Sequence, residues 1–257
     1  MKGTPRFYPR GLLGVKPCLP CSLGLPFKKG IFFLSKSALW KSQVKDKPET
    51  ILLQLIAGNQ RFASGVSYRD AQVTVAKRMR LAKQGQSPLA AVLTCSDARV
   101  PVEMIFDADL GDLFVVRNAG NMVSHSVLAS IELAVINFNI NLCLVLGHTQ
   151  CGAIETAMGF YQSETAPSDH IRQMITTLLP LVASEVKNTQ PQISPINEIV
   201  TRNVRAGCRH LYLGSTLIHQ RVKGGDLHVV GATYNINTGL VAFEPVVRST
   251  GPISVSS

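Results

Sequence analysis

Two continuous apolar segments stand out in the pattern of hydrophobic and polar positions along the chain. Residues 88–94 lead into Cys95, and residues 142–147 lead into His148. Apolar runs of this length are typical of strands that are buried on both faces of a parallel sheet. The sequence therefore predicts two strands of one sheet, each ending at a residue whose side chain can bind a metal.

Shorter apolar segments predict the other strands. Residues 113–117 form one, and residues 227–234 and 240–243 form a terminal hairpin around Asn237-Thr238-Gly239, because polar residues and glycine favour tight turns. Between the strands, apolar residues recur at helical spacing. The predicted helices cover residues 48–64, 72–84, 102–106, 125–138, 153–160, a segment from Asp169 with a kink or break at Pro180, and 197–222. Strands that alternate with helices predict an α/β fold with a mainly parallel β-sheet flanked by helices.

Residues 1–45 differ from the rest of the chain in charge. Nine of the 26 basic residues lie before Asp46, which is the first acidic residue of the chain. A basic segment without acidic residues is typical of an organelle transit peptide, and the alternative is a disordered extension. We therefore expect a leader or targeting segment at 1–45 and a single domain at 46–250. The protein is expected to be cytoplasmic unless the leader directs it to an organelle.

The composition of 46% hydrophobic and 16% charged residues fits a well-packed enzyme. The net charge of +10 comes mainly from residues 1–45, since the remaining basic residues nearly balance the 16 acidic ones. This distribution does not favour a nucleic-acid partner. No membrane span is expected either, because the longest apolar run of the leader, Ile31–Leu34, is far shorter than the ~20 residues that a span requires.

The candidate chemistry lies where the two buried strands end. Cys95 follows the first strand, and His148 follows the second, with Cys151 three residues later. Sites in parallel sheets form at the carboxyl ends of the strands. Two thiolates and one imidazole, with a fourth position open, are the ligands of a catalytic zinc ion, which lowers the pKa of bound water to about 7. The sequence therefore predicts one zinc ion per chain.

Asp97 and Arg99 follow the first cysteine closely. Asp97 can serve as the fourth zinc ligand or as a group outside the ligand shell. If the segment after Cys95 is extended, the two side chains lie on the same side and can pair. A bidentate Asp97–Arg99 pair would keep the carboxylate off the metal as a hydrogen-bond acceptor for the bound water.

The alternative is a structural zinc site, which is closed and only stabilises the fold. Such sites usually contain more cysteine at paired short spacings, whereas Cys95 and His148 are far apart in the chain. Of the other cysteines, Cys143 and Cys208 are expected to be buried thiols. The pair Cys18 and Cys21 has no second ligand pair beside it, so it does not predict a zinc or redox site.

The motifs Cys95-Ser96-Asp97-Ala98-Arg99 and His148-x-x-Cys151-Gly152 together resemble those of the β-class carbonic anhydrases. The resemblance extends over about residues 48–245 and includes Gly85-Gln86-Ser87-Pro88, the segment 111–118 and Val230-Gly231-Ala232. It implies a zinc enzyme that hydrates CO2 reversibly to bicarbonate and a proton through zinc-bound hydroxide. The implied zinc ligands are Cys95, His148 and Cys151.

The resemblance also implies roles for other residues. Asp97 and Arg99 match the family's dyad, which opens and closes the zinc site. Gln86 matches a glutamine that helps bind substrate, Phe114 an aromatic residue lining the CO2 pocket, and Gly152 the backbone position beside the ligand cysteine. Apart from the resemblance, Arg117 and Asn118 are expected to order the site loops rather than contact substrate. Many members have a tyrosine where this chain has Leu133. The leucine keeps the CO2 pocket apolar but lacks the hydroxyl of the tyrosine.

The family builds its active site across a dimer interface and often forms tetramers, so the resemblance implies a homodimer or homotetramer. Two other functions stay open at this point. A hydrolase of a CO2 analogue, such as carbon disulfide or carbonyl sulfide, would use the same zinc chemistry. A catalytically silent zinc protein would have Asp97 bound permanently to the metal.

Overall fold

The computed structural model describes residues 46–66, 74–186 and 196–247. The predictions for residues 1–45 and for the start of the helix at 72 lie outside these ranges. The helices are α1 (Pro48–Ala63), α2 (Val75–Gln84), α3 (Val102–Ile105), α4 (His125–Phe138), α5 (Gly152–Ser163), α6 (Asp169–Val186), α7 (Ile196–Gly214) and α8 (Thr216–Lys223). The strands are β1 (Ala90–Cys95), β2 (Leu113–Asn118), β3 (Leu142–His148), β4 (His228–Tyr234) and β5 (Val241–Phe243).

The five strands form one sheet in the order β2-β1-β3-β4-β5. The first four are parallel, and β5 runs antiparallel to β4. The predicted α/β fold, with a mainly parallel sheet and a terminal hairpin, is therefore confirmed. Because β1 and β3 are neighbours at the centre of the sheet, their carboxyl ends meet at the same edge.

Both central strands are buried along their whole length, which explains their continuous apolar sequence. Alternate residues of β1 face opposite sides of the sheet. Ala91 and Leu93 pack in the cluster formed with α4, α7 and α8, whereas Ala90 and Val92 pack on the opposite side, against α1 and α3. Across the three described ranges, none of the helices combines the length and apolar character needed to cross a membrane.

The prediction of a single helix over 197–222 is wrong, because the structure contains two helices separated at Ser215. This residue has an extended backbone (φ −125°, ψ 117°), and its Oγ accepts a hydrogen bond from the Ile218 amide as the N-cap of α8. The same hydroxyl donates to Glu132 Oε1 at 2.5 Å. The break therefore depends on a capping residue fixed by a distant carboxylate. At Pro180, in contrast, α6 continues as one helix, so the predicted break does not occur there.

Asn59 attaches α1 to the body of the domain. Its Nδ2 donates to the carbonyls of Ile105 (3.2 Å) and Gly239 (2.8 Å), and its Oδ1 accepts from the Val241 amide (2.8 Å). The side chain is only 2% exposed. One residue thus joins α1 to the end of α3 and to the β4–β5 hairpin.

Asn59→Ala is expected to lower the free energy of unfolding by about 3 kcal/mol, because it leaves buried backbone groups without partners. The neighbouring change Gln60→Ala is the control, since Gln60 is exposed on the same turn and should cost less than about 0.5 kcal/mol. Urea unfolding of both variants measures the difference. Equal stabilities would contradict this role of Asn59.

Candidate metal centre

Three side chains meet at the carboxyl edge of the sheet. Cys95 is the last residue of β1, His148 is the last residue of β3, and Cys151 immediately precedes α5. All three are buried, and their ligand atoms lie within 4.8 Å of one another. The fold thus brings together the two halves of the ligand set that the sequence predicted.

The short loop between β3 and α5 brings Cys151 next to His148. Gln150 adopts a left-handed conformation (φ 57°), which turns the chain sharply between the two ligands. Cys151 then occupies the N-cap position of α5. His148 and Cys151 therefore face the same point, although only two residues separate them.

The hydrogen bonding of the His148 imidazole indicates that these three side chains suit a metal. Its Nδ1 lies 2.9 Å from the Thr149 carbonyl, so that this nitrogen carries the proton and Nε2 presents its lone pair. Nε2 is buried and has no hydrogen-bond partner within the part of the chain that the structure describes. Buried polar atoms are seldom left unpaired. A buried imidazole nitrogen within 4.8 Å of two cysteine sulfurs suits a metal site, and a donor set of two sulfurs and one nitrogen fits zinc.

The Cys95 and Cys151 side chains form a hydrogen bond with each other. The Cys151 thiol donates to Cys95, and this hydrogen bond is the main reason that the pKa of Cys95 lies well below its ordinary value. The same bond raises the pKa of Cys151, which keeps the proton. The Gly120 amide also donates to Cys95 Sγ at 3.3 Å. A divalent cation would take the place of that proton and favour both thiolates.

Asp97 is held by Arg99 through both carboxylate oxygens. Arg99 Nε lies 3.0 Å from Oδ1, Nη2 lies 2.8 Å from Oδ2, and the Arg99 amide donates to Oδ1 at 2.9 Å. The segment is a turn closed by the Val100 amide on the Asp97 carbonyl at 3.1 Å, so the pair forms without the extended backbone considered from the sequence. The guanidinium of Arg99 is the main reason that the pKa of Asp97 is lowered to about 2.

In this arrangement, Asp97 lies beside the ligand set rather than in it. Its Oδ2 is 4.0 Å from His148 Nε2, while the group of mutually close ligand atoms contains only Cys95, His148 and Cys151 among the described residues. Arg99 also donates to the Gln150 carbonyl at 3.1 Å. The carboxylate is therefore fixed beside the three candidate ligands rather than among them.

Comparison with known proteins identifies the family. The sequence model described as Carbonic anhydrase matches residues 90–241. Carbonic anhydrase 2 of Mycobacterium tuberculosis is 36% identical over 194 residues, which cover 76% of this chain and 91% of that protein. The chain belongs to the β-carbonic anhydrase family. Its members are lyases, and this enzyme is therefore assigned as a carbonic anhydrase.

Two further relatives of this β-carbonic anhydrase agree with that assignment. The carbonic anhydrase of Mycolicibacterium smegmatis is 33% identical over 196 residues, which cover 76% of this chain and 93% of that protein. A solved structure described as Coccomyxa β-carbonic anhydrase in complex with acetazolamide has a TM-score of 0.57 at 25% identity. It covers 76% of this chain and 87% of that chain.

Arg117 and Asn118 order the loops of this β-carbonic anhydrase, as expected from the sequence. Arg117 donates from Nε to the Cys95 carbonyl (3.1 Å) and from Nη2 to the Asp97 carbonyl (2.7 Å). Asn118 exchanges two side-chain hydrogen bonds with the backbone of Met122. Both residues thus act on the backbone that carries the site.

The three residues matched to substrate contacts occupy different places in the single chain. Gln86 is exposed in the connection between α2 and β1, and Gly152 is exposed at the start of α5. Phe114 is half-buried on β2, with its ring 5.9 Å from that of Phe138. It packs on the cluster beneath α4, whereas Cys95 and Cys151 belong to a different cluster.

Sequence reasoning missed two residues that are linked by hydrogen bonds to the candidate ligand Cys95. One is Gly120, whose amide contacts Cys95, and the other is Asn203 on α7, whose Nδ2 donates to the Gly120 carbonyl at 2.8 Å. The feature of the sequence that could have identified Asn203 is its place among the apolar positions of a helix face. That signal indicates a buried hydrogen bond but does not reveal its acceptor.

Proposed function

We propose that this β-carbonic anhydrase catalyses the reversible hydration of CO2 to bicarbonate and a proton, with one zinc ion bound by Cys95, His148 and Cys151. The observation that supports it most directly is the buried set of two sulfurs and one nitrogen, in which His148 Nε2 is unpaired among the described residues. When bound, zinc supplies a Lewis acid that lowers the pKa of water to about 7 and provides a nucleophile at neutral pH.

The protein's own groups prepare the reaction around that position. Asp97 stays ionised because Arg99 holds its pKa far below neutrality, so it can accept a hydrogen bond from the attacking water. Arg99 fixes the direction of both carboxylate oxygens through its bidentate contact. Asp97 is therefore proposed as a catalytic residue, and Arg99 as the residue that positions it.

We further propose that the working enzyme is a homodimer or homotetramer. Gln86 is exposed in the single chain, and Phe114 lies on the edge strand β2, so their proposed contacts with CO2 or bicarbonate would require a second copy of the chain. The helix α2 has no buried residue, and its Val75 and Met79 are 61% and 55% exposed. Exposed apolar side chains on a surface helix favour an interface.

Stopped-flow CO2 hydration between about pH 6.5 and about pH 9, with zinc content quantified, tests the proposal. The pKa of Asp97 is lowered to about 2, so its carboxylate would lose its charge only at much lower pH and does not titrate in this window. Activity should therefore rise with pH through one other ionisation, near the value of about 7 expected for activated water.

Full zinc occupancy without hydration at any pH would contradict the proposed reaction. A parallel assay with carbonyl sulfide would then separate a CO2-analogue hydrolase from a catalytically silent zinc protein. Absence of zinc from the folded protein would contradict the proposed ligand set itself.

A further inference from the structure

Asn203 is a polar residue on the inner face of α7, which is otherwise apolar. The buried residues of this helix are Ile199, Val200, Asn203, Val204, Gly207, Cys208 and Leu211, and Asn203 is only 7% exposed. Burying an amide costs free energy unless its groups are hydrogen-bonded. The contact that Asn203 makes should therefore have a specific purpose.

That contact connects Asn203, through Gly120, to the proposed metal ligand Cys95. Asn203 Nδ2 donates to the Gly120 carbonyl at 2.8 Å, and the Gly120 amide donates to Cys95 Sγ at 3.3 Å. Both polar backbone groups of Gly120 are therefore engaged, one by α7 and the other by the sulfur. The residue is held in a left-handed conformation (φ 72°, ψ 20°).

The position of Gly120 leaves little freedom for another residue. A Cβ atom built there would lie 3.2 Å from the Cβ of Ala153, on the helix that follows Cys151. Left-handed backbone of this kind also favours glycine. The loop that carries Gly120 is thus closely packed against the metal centre, and Asn203 anchors it through a buried bond.

We propose that Asn203 is a positioning residue of the metal centre, which holds the Gly120 amide on the Cys95 sulfur. This inference rests on the proposed zinc function. A hydrogen bond to a metal-bound thiolate orients the ligand and tunes its electron donation, and the loss of such an outer partner typically weakens metal binding by about 10- to 100-fold. Without the Asn203 anchor, the Gly120 carbonyl loses its donor and the amide is free to turn away from the sulfur.

The test compares zinc release from the parent enzyme and from Asn203→Leu, which has nearly the same size but cannot donate. Zinc loss to excess EDTA should be at least about 10-fold faster in this variant. In the cobalt-substituted protein, the thiolate-to-metal absorption band should shift. A milder variant, Asn203→Ser, has too short a side chain to reach the carbonyl and gives the same comparison if the leucine variant does not fold.

Cys208→Ala is the matched control, because it removes a buried group from the same face of α7, and among the described residues this group has no hydrogen bond to the Gly120 loop. It should lower the melting temperature while leaving zinc release within about twofold of the parent and the cobalt band unchanged. Parental zinc release in the Asn203 variants, or equal acceleration in Cys208→Ala, would overturn the inference. In that case a parent enzyme that holds zinc and hydrates CO2 leaves the proposed function intact, whereas a parent without zinc contradicts both.

Discussion

Replacing Cys151 by serine is expected to remove zinc and CO2 hydration together. Cys151 supplies one of the three ligand atoms that lie within 4.8 Å of one another, and a serine hydroxyl is a much poorer ligand for zinc than a thiolate. The loss should exceed the roughly 100-fold effect of removing an outer partner of a metal ligand. Zinc content by mass spectrometry and stopped-flow hydration on the same sample measure both quantities.

Cys143→Ala provides the control for this experiment. Cys143 is a buried thiol on β3, the strand that also carries His148, but burial raises its pKa to about 12, so it is not prepared as a thiolate. This variant should keep its zinc and most of its activity. An active Cys151→Ser enzyme without zinc would refute the assignment of the metal centre.

Arg99→Ala is expected to abolish most of the activity while zinc stays bound. The guanidinium makes two hydrogen bonds to the Asp97 carboxylate, and without them the carboxylate would be free to turn toward the proposed zinc ion. Asp97 would then occupy the place of the water. We expect a loss of about 10- to 100-fold in hydration rate, the range found for partners that orient groups around a metal, at unchanged zinc content.

The charge state of Asp97 does not account for this loss. Without Arg99, the pKa of the carboxyl should rise from about 2 toward its ordinary value of about 3.9, which still leaves it ionised at neutral pH. Raising the pH from about 6.5 to about 9 should therefore not restore the variant through Asp97. The expected defect lies in the orientation of the carboxylate.

Arg205→Ala is the matched control for Arg99→Ala. Arg205 is 49% exposed, like Arg99, and it also makes a two-point contact with a carboxylate, that of Glu244. Its pair joins α7 to the segment after β5 and contacts no metal ligand in the described part of the chain. The control should retain activity within about twofold. If Arg99→Ala behaves like this control, the positioning role of Arg99 is wrong.

The cluster of candidate metal ligands and the sheet could be predicted from the sequence because their determinants are local. Continuous apolar runs predict strands that are buried on both faces, and a residue just after such a strand must lie at the carboxyl edge. Cys95 and His148 each follow such a run, and Cys151 is close to His148 in the chain. No knowledge of distant contacts was needed to bring these residues to one edge.

The placement of substrate contacts could not be obtained in the same way. The motif match assigns Gln86 and Phe114 to the active site, but the single chain leaves Gln86 exposed and packs Phe114 beneath α4. In the proposed homo-oligomer, the place where such residues act would depend on the arrangement of copies of the chain. A pattern of hydrophobic positions within one chain carries no information on that arrangement.

The sequence by itself thus determined the order of strands and helices, the parallel sheet and the ligand set proposed for zinc. Only the tertiary structure decided that the helical periodicity of 197–222 is interrupted at Ser215, whose hydroxyl donates to Glu132, and that Asn203 anchors the loop of Gly120. Each of these contacts joins residues 83 positions apart. Periodicity and spacing report neighbours along one element, whereas such hydrogen bonds exist only after separate elements have packed together.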